Sequence, residues 1–238
     1  MAQDFARRDI VPFASQWDRD RFVPLETLRK MGSLGMMGLC VPEEWGGAGS
    51  YFVSYALLTE EIAVGDGGLC NMMCVVNAPI CAALVDFGNE RQKERFLRPL
   101  ASGQKLGAFM LTEPQAGSDA SNLLTRAERK GDRYVLNGLK QFVTAGESAD
   151  IAMVVAVTDP AAGKKGISCF LVATDTPGYR VVRREQKLGH RTCDTCLIAL
   201  EDLEVPADNL LGPLGDGYKI ALSYLVEGRI GVAAQSVG

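Results

Sequence analysis

The spacing of apolar residues changes near residue 106. Before that point, apolar side chains recur every three or four residues, as they do on one face of a helix. Tyr55, Leu58 and Ile62 have this spacing, and residues 69–88 are apolar on nearly every side, which is typical of a helix buried among other helices. Residues 1–106 are therefore predicted to form a helical bundle.

Local signals predict two helix boundaries in this bundle. Pro24 can open a helix that Gly32 or Gly35 ends. Asn89 and Gln92 have the spacing of a capping box, in which each side chain bonds the backbone of the other residue. The helix that follows is expected to bury Phe96, Leu97 and Leu100.

From residue 107 the pattern changes to short apolar runs separated by turn residues. The runs are "LGAFML", "RYVL", "LKQFVT", "IAMVVAV", "ISCFLVA", "YRVV" and "CLIAL". With turns such as "KGD" and "TPG" between them, they are typical of antiparallel strands in a sandwich or barrel. The predicted fold class is α+β, with a helical domain at 1–106, a β domain at 107–212 and the start of a C-terminal helical domain at 213–238.

The last segment, "GDGYKIALSYLVEGRIGVAAQSVG" (215–238), predicts one strongly apolar helix. The chain contains no obvious partner for its buried face, and large exposed apolar patches are unusual on soluble proteins. We therefore expect further residues or a second subunit to cover five of its side chains: Ile220, Leu222, Leu225, Ile230 and Val232.

Composition and charge exclude several classes of protein. A chain with 47% apolar and 23% charged residues is typical of soluble globular proteins. The net charge of −4 argues against binding to nucleic acid. No apolar run reaches the roughly 18 residues that cross a membrane, and the charged N-terminus does not resemble a signal peptide. We predict a cytoplasmic protein without membrane insertion.

The cysteines and the single histidine favour no metal site. Seven cysteines without a secretory signal indicate reduced thiols. Cys193 and Cys196 form one C-x-x-C motif, a spacing that also occurs in zinc sites and redox sites. The second pair that a zinc site requires is missing, so we interpret them as small apolar residues on or near a strand. With His190 alone, a multi-histidine metal site or a Ser-His-Asp triad is not predicted.

The loop "FMLTEPQAGSDAS" (109–121) concentrates acids and hydroxyls between apolar runs, and by itself it is interpreted as a turn between strands. Together with four other stretches it resembles the acyl-CoA dehydrogenase family, most closely the short-chain and bacterial branches. Those stretches are "VLNGLKQFVTAG" (135–146), "KLGHRTCDT" (187–195), "LEDLEVPADNLLG" (200–212) and the segment 215–238. The similarity covers essentially the whole chain, and the family continues beyond residue 238 through a C-terminal four-helix domain.

The resemblance implies that the chain binds FAD. Thr112 would bond the flavin ring, Phe142 would pack on it and Thr144 would donate near its N5 atom. Gly117 lets the backbone approach the pyrophosphate, and Ser118 offers a hydroxyl beside it. The complete set of cofactor residues that the resemblance implies is Phe109, Met110, Leu111, Thr112, Gly117, Ser118, Phe142, Val143 and Thr144. Many relatives have tryptophan at position 142 and glycine at position 115, where this chain has Phe142 and Gln115.

The resemblance also implies a reaction, the α,β-dehydrogenation of a fatty acyl-CoA to the trans-2-enoyl-CoA during β-oxidation. Ser118, Val226, Gly228 and Arg229 would contact the substrate. Val226 replaces the usual aspartate. Arg229 could pair with a CoA phosphate or anchor its helix. Electrons would pass to an electron-transferring flavoprotein, and the enzyme would be a homo-oligomer, either a tetramer or a dimer of dimers.

The catalytic residue is unknown from this sequence. The resemblance implies a glutamate beyond residue 238, where the short- and medium-chain branches carry the base. In another branch the base position matches Gly228, which has no side chain. Glu227 lies one residue earlier and is expected to be a solvated or salt-bridged surface acid. Residues 1–238 alone are therefore expected to be inactive. The alternatives are a non-catalytic partner or split-gene half of a flavin site, and a flavin oxidase of the same fold.

Overall fold

The structure is a computed structural model that describes all residues from Met1 to Gly238. The N-terminal part contains a short 3-10 helix (Glu43–Trp45) and five α-helices, three of which include a central segment with π-type hydrogen bonding. Their bounds are α1 (Ala2–Phe5, Ala6–Ile10 and Val11–Asp20), α2 (Leu25–Ser33), α3 (Phe52–Gly65), α4 (Gly67–Val75, Val76–Cys81 and Ala82–Phe87) and α5 (Glu90–Gln92, Lys93–Leu97 and Arg98–Ala101).

The predicted helix boundaries are confirmed. α2 begins directly after Pro24 and ends one residue beyond Gly32. At the start of α5, the Asn89 side chain accepts from the Gln92 backbone N–H at 2.8 Å, and the Asn89 N–H donates to the Gln92 side chain at 3.1 Å. The predicted inward-facing residues of α3 and α5 are all buried: Tyr55, Leu58, Ile62, Phe96, Leu97 and Leu100.

Helix α4 is the central helix of this part. The 21 residues Gly67–Phe87 are long and apolar enough to cross a membrane, contrary to the expectation that no segment reaches this length. However, 78% of the most apolar stretch is buried inside the protein, so α4 has the burial of a core helix. A break at Ala78 (φ −142°, ψ 121°) divides it, and beside the break the Asn77 side chain bonds the backbone of Met36, Leu39 and Met73.

Eight strands form one mixed sheet. They are β1 (Gly107–Met110), β2 (Arg126–Lys130), β3 (Arg133–Thr144), β4 (Ile151–Val157), β5 (Ile167–Ala173), β6 (Tyr179–Arg184), β7 (Thr195–Pro206) and β8 (Leu210–Leu211). The strand order is β6-β7-β3-β2-β4-β5-β8, with β1 beside β4. The predicted β region is confirmed, but β4 pairs in parallel with β1 and β2. These pairings join strands that are distant in sequence, so the spacing of apolar runs did not predict them.

Helix α6 (Gly217–Val237) joins the two parts, and one continuous core of 60 buried residues runs through both. Its first residue, Gly217, lies so close to the Ser168 backbone of β5 that a side chain would collide. Farther along, the Tyr224 hydroxyl donates to Asp86 of α4 at 2.6 Å.

The exposure of α6 agrees with the expectation only in part. Ile230 and Val232 are 42% and 54% exposed, as predicted. Ile220 is fully buried, so the expectation that it lacks a partner within the chain was wrong. The Cδ1 atom of Ile220 lies close to Gly212, at the end of the β region, and the sequence pattern could not show that this residue packs there.

We predict opposite effects for two alanine substitutions in α6. A Cβ atom at Gly231 would lie 2.5 Å from the buried Tyr55 hydroxyl, whereas one at Gly228 would have its nearest neighbour at 4.0 Å. Gly231→Ala should cost about 1–3 kcal/mol through overpacking. Gly228→Ala should stabilise the helix by up to about 1 kcal/mol. Denaturant midpoints of the two variants measure this, and shifts in the same direction would contradict the packing described here.

Candidate functional site

The loop between β1 and β2, residues 111–125, has a buried base and an exposed tip. Met110 and Leu111 are buried where the loop leaves β1, and Thr125 is buried where it enters β2. Between these ends, Gly117 and Ser118 are exposed, and apart from its two chain neighbours no residue has an atom within 4 Å of the position that a Cβ at Gly117 would take. The tip therefore offers open space beside the backbone, as a bound phosphate requires.

A distortion in β3 turns an aromatic ring outward beside this loop. The register between β3 and β7 shifts between Lys140 and Val143, and Phe142 has a φ of +56°. A bulky residue with positive φ is a backbone outlier, and such outliers occur at functional sites. The result is that Val143 stays buried in the sheet while Phe142 is 60% exposed.

Three hydroxyl groups, two on the loop and one on β3, are free to bind a ligand. Thr112 and Ser118 are at least partly exposed and make no side-chain hydrogen bond within the chain. Thr144, at the end of β3, has only a 3.5 Å contact with the Asn71 amide of α4. The Gln141 N–H donates to the Thr112 carbonyl at 2.9 Å, which joins the loop to β3 next to Phe142. The structure thus brings together the loop and the segment 142–144.

A buried ion pair lies beneath these segments. Lys140 Nζ donates to Glu113 Oε1 at 2.8 Å and to the Leu111 carbonyl at 3.0 Å, and both charged side chains are almost inaccessible to solvent. Lys140 and backbone N–H groups keep the pKa of Glu113 below its usual value, although burial acts against them. Sequence patterns did not predict this pair. A lysine within the apolar run "LKQFVT" was the one available signal.

The residues predicted to contact substrate on α6 are not joined to the loop by hydrogen bonds. Val226 is 57% exposed and Arg229 is exposed without an ion pair. Gly228 faces the broken part of α4, with the Ala78 carbonyl as its nearest neighbour. Their contact with a substrate remains a prediction.

Glu227 is not the solvated or salt-bridged acid that we expected. It lines a cavity of about 200 Å³ between α3, α4 and α6, whose walls include Phe52, Val85 and Asp86. Its Oε2 atom is buried and has no hydrogen-bond partner. Burial and the nearby charge of Asp86 raise the pKa of Glu227. Helical spacing predicted that Glu227 projects from a different face of α6 than Gly228. Only the packing of α6 showed that the Glu227 face borders a cavity.

Neither the cysteines nor the histidine form a reactive cluster. Cys193 and Cys196 are fully buried, and burial raises the pKa of Cys196 to about 12. Both thiols therefore stay protonated, in agreement with their interpretation as small apolar residues. His190 packs against Gly67 at the start of α4. No group of three His, Cys, Asp or Glu side chains is arranged to hold a metal ion.

Two family models match the chain. The N-terminal domain of acyl-CoA dehydrogenase matches residues 1–104, and the middle domain matches residues 108–203. Among curated proteins, an acyl-CoA dehydrogenase of Bacillus subtilis is 44% identical over 238 residues, which are 100% of this chain and 63% of that protein.

Solved structures with the same arrangement support this assignment. The butyryl-CoA dehydrogenase of Megasphaera elsdenii has a TM-score of 0.96 and 41% identity, over 99% of this chain and 62% of that one. A chain from a study of the electron transferring flavoprotein of Acidaminococcus fermentans has a TM-score of 0.97 and 42% identity, over 99% of this chain and 62% of that one.

The matches extend over both parts of the molecule in order. The chain spans about three fifths of the length of the relatives that it matches. It belongs to the acyl-CoA dehydrogenase family, of which it carries the N-terminal and middle domains.

Proposed function

We propose that the natural protein containing this chain is an FAD-dependent acyl-CoA dehydrogenase that acts on short-chain substrates. The observation that carries the proposal is the juxtaposition of the open loop 111–118 with the outward-turned Phe142 and the Thr144 hydroxyl. The name of the Megasphaera relative, a butyryl-CoA dehydrogenase, supports a short acyl chain.

The residues present fit a flavin. Open space beside Gly117 and the free Ser118 hydroxyl suit a pyrophosphate, and the exposed ring of Phe142 offers a flat apolar surface for stacking. Thr112 and Thr144 would bond the polar edge of the ring system, with Phe109, Met110, Leu111 and Val143 as supporting residues. Bound FAD supplies the hydride acceptor for α,β-dehydrogenation.

The α6 residues would orient the substrate. Arg229 is an exposed cation without an internal partner, and CoA carries several phosphates, so a charge-assisted bond between them is favourable. Gly228 leaves space for an acyl group, and Ser118 and Val226 would border it. We propose, on the resemblance, that the α-proton is taken by a glutamate outside residues 1–238, since Gly228, which matches another branch's base position, has no side chain.

The electron acceptor is proposed to be an electron-transferring flavoprotein, which the Acidaminococcus match supports. A homo-oligomeric assembly is proposed on the resemblance alone, and a cytoplasmic location on the charged N-terminus described above. In an oxidase of the same fold, the reduced flavin would instead react rapidly with oxygen. A split enzyme would need a companion chain for activity.

The test of this function uses the natural full-length protein with FAD and butyryl-CoA. Bleaching of the flavin absorbance together with enoyl-CoA formation supports the proposal. Folded protein that never takes up FAD would overturn it. Residues 1–238 with FAD are expected to show no turnover, and turnover by them would refute the position proposed for the base.

Thr144→Ala should weaken FAD binding in the natural full-length protein. Loss of one ordinary hydrogen bond costs roughly 0.5–1.5 kcal/mol, which is about a two- to thirteenfold higher dissociation constant. Fluorescence titration with FAD measures the change. Thr176→Ala is the matched control, because Thr176 lies on the turn between β5 and β6 and its hydroxyl makes no bond within the chain. Equal affinity in both variants would contradict the assignment of Thr144.

Glu227→Gln should raise the melting temperature at neutral pH and have little effect in acid. The folded-state pKa of Glu227 is raised, so the stabilising effect of its protonated form is lost as the pH rises through that value. Glutamine does not ionise and avoids this loss. Below the ordinary glutamate pKa of about 4.3, the two proteins should melt alike.

The control for this prediction is Glu201→Gln. Arg180 lowers the pKa of Glu201, so this substitution should not stabilise the protein at neutral pH. A Glu227→Gln protein that gains nothing at neutral pH would refute the environment described for Glu227. Loss of several orders of magnitude in turnover, with FAD binding intact, would show that Glu227 is the base after all.

A further inference from the structure

We propose that Lys140 and Glu113 are positioning residues, whose buried ion pair holds the two flavin-binding segments in register. This inference rests on the proposed function, because it assigns the pair a task in cofactor binding. Neither residue is at the exposed surface where a ligand would bind, so each acts through the segments to which it is attached.

Glu113 closes the loop between β1 and β2. Its Oε2 accepts from the Leu124 N–H at 2.6 Å, and its Oε1 accepts from the Thr125 N–H at 3.1 Å. Its backbone also exchanges two 3.0 Å hydrogen bonds with Ala116, next to Gly117. The Glu113 carboxylate therefore fixes the end of the loop that enters β2, while the Glu113 backbone fixes the start of the tip.

Lys140 fastens this closed loop to β3. Its ammonium group donates both to the carboxylate and to the Leu111 carbonyl, which is next to Thr112. Phe142 follows two residues later along β3, at the register shift that turns its ring outward. Thr112 and Phe142, the two residues expected on either side of the flavin ring, are already linked by the backbone bond from Gln141 to Thr112, and Lys140 adds a second, buried link between the same two segments.

Desolvation makes this connection rigid. A charge without solvent is tolerated only when it is paired and hydrogen-bonded, so neither side chain can move away from the other without leaving a buried unpaired ion. The Gln115 amide adds a fourth donor to the Glu113 carboxylate at 2.7 Å, on the exposed side of the loop. Movement of the tip relative to β3 therefore requires that several buried bonds break together.

The pH dependence provides an independent test. Burial lowers the pKa of Lys140 to about 8, although Glu113 opposes this shift. The titratable groups that face Lys140 are Glu113 and the Cys169 thiol of β5. The pKa of Glu113 is lowered, and burial raises that of Cys169 to about 12, so neither changes charge near pH 8. Above that pH the wild-type pair loses its cation, and FAD affinity should fall.

The experiment compares wild type, Lys140→Met, Glu113→Gln and the double variant in the natural full-length protein. Lys140→Met should raise the FAD dissociation constant by at least about tenfold, because it leaves a buried carboxylate without its cation. The amides of Leu124 and Thr125 should exchange faster with solvent in the flavin-free protein. The double variant removes both charges. Its melting temperature should therefore be higher than that of Lys140→Met, but its FAD affinity should stay as low as that of Lys140→Met.

Arg133→Met is the matched control. Arg133 lies on the same strand as Lys140 and forms an exposed ion pair with Glu204, so its removal should leave FAD affinity and loop exchange unchanged. Wild type should lose FAD affinity as the pH rises through about 8, whereas Lys140→Met should show no such loss.

Any of three results would overturn the inference. Lys140→Met could bind FAD as tightly as wild type, its Leu124 and Thr125 amides could exchange with solvent as slowly as in wild type, or the FAD affinity of both proteins could depend on pH in the same way. A purely structural role is shown if FAD affinity simply follows melting temperature across the four proteins. Wild type that binds no FAD would instead refute the proposed function. In that case, amide exchange at Leu124 and Thr125 in the flavin-free protein would still show whether the ion pair anchors the loop.

Discussion

The requirement that buried polar groups be paired controls the geometry of the candidate site. The loop between β1 and β2 enters the sheet with backbone N–H groups that no strand partner satisfies. Glu113 supplies acceptors for them, and its charge in turn needs the cation of Lys140. Because the pair is fully enclosed, loop and strand behave as one unit. The exposed ends of that unit are the groups suited to a flavin.

A second constraint comes from the close approach of α6 to its neighbours. Gly217 and Gly231 have no space for a side chain, one against the Ser168 backbone and the other against the Tyr55 hydroxyl. Through these contacts α6 lies against both the sheet and the helical part. The position of Gly228 and Arg229 relative to the loop is therefore determined by packing at other points along the same helix.

The cavity beside α6 combines apolar walls with two acids. Asp86 is bonded by the Tyr224 hydroxyl, whereas one oxygen of Glu227 has no partner. A lone carboxylate in such a place costs stability when it is ionised, and the raised pKa of Glu227 reflects this. The Glu227 side chain thus lies in a cavity lined by α3 and α4, and its role as a non-catalytic acid remains a prediction.

The sequence by itself determined the elements and the family. Apolar periodicity predicted the helices and strands, and local caps such as Asn89 with Gln92 predicted boundaries, because these depend on neighbours within a few residues. The motif "LTEPQAGSDAS" indicated the candidate flavin loop through its resemblance. Only the tertiary structure decided the parallel pairing of β1 with β4, the positive φ of Phe142, the pair between Lys140 and Glu113 and the burial of Glu227. Each of these depends on contacts between residues that are distant in sequence, and their energies are not encoded in any local pattern.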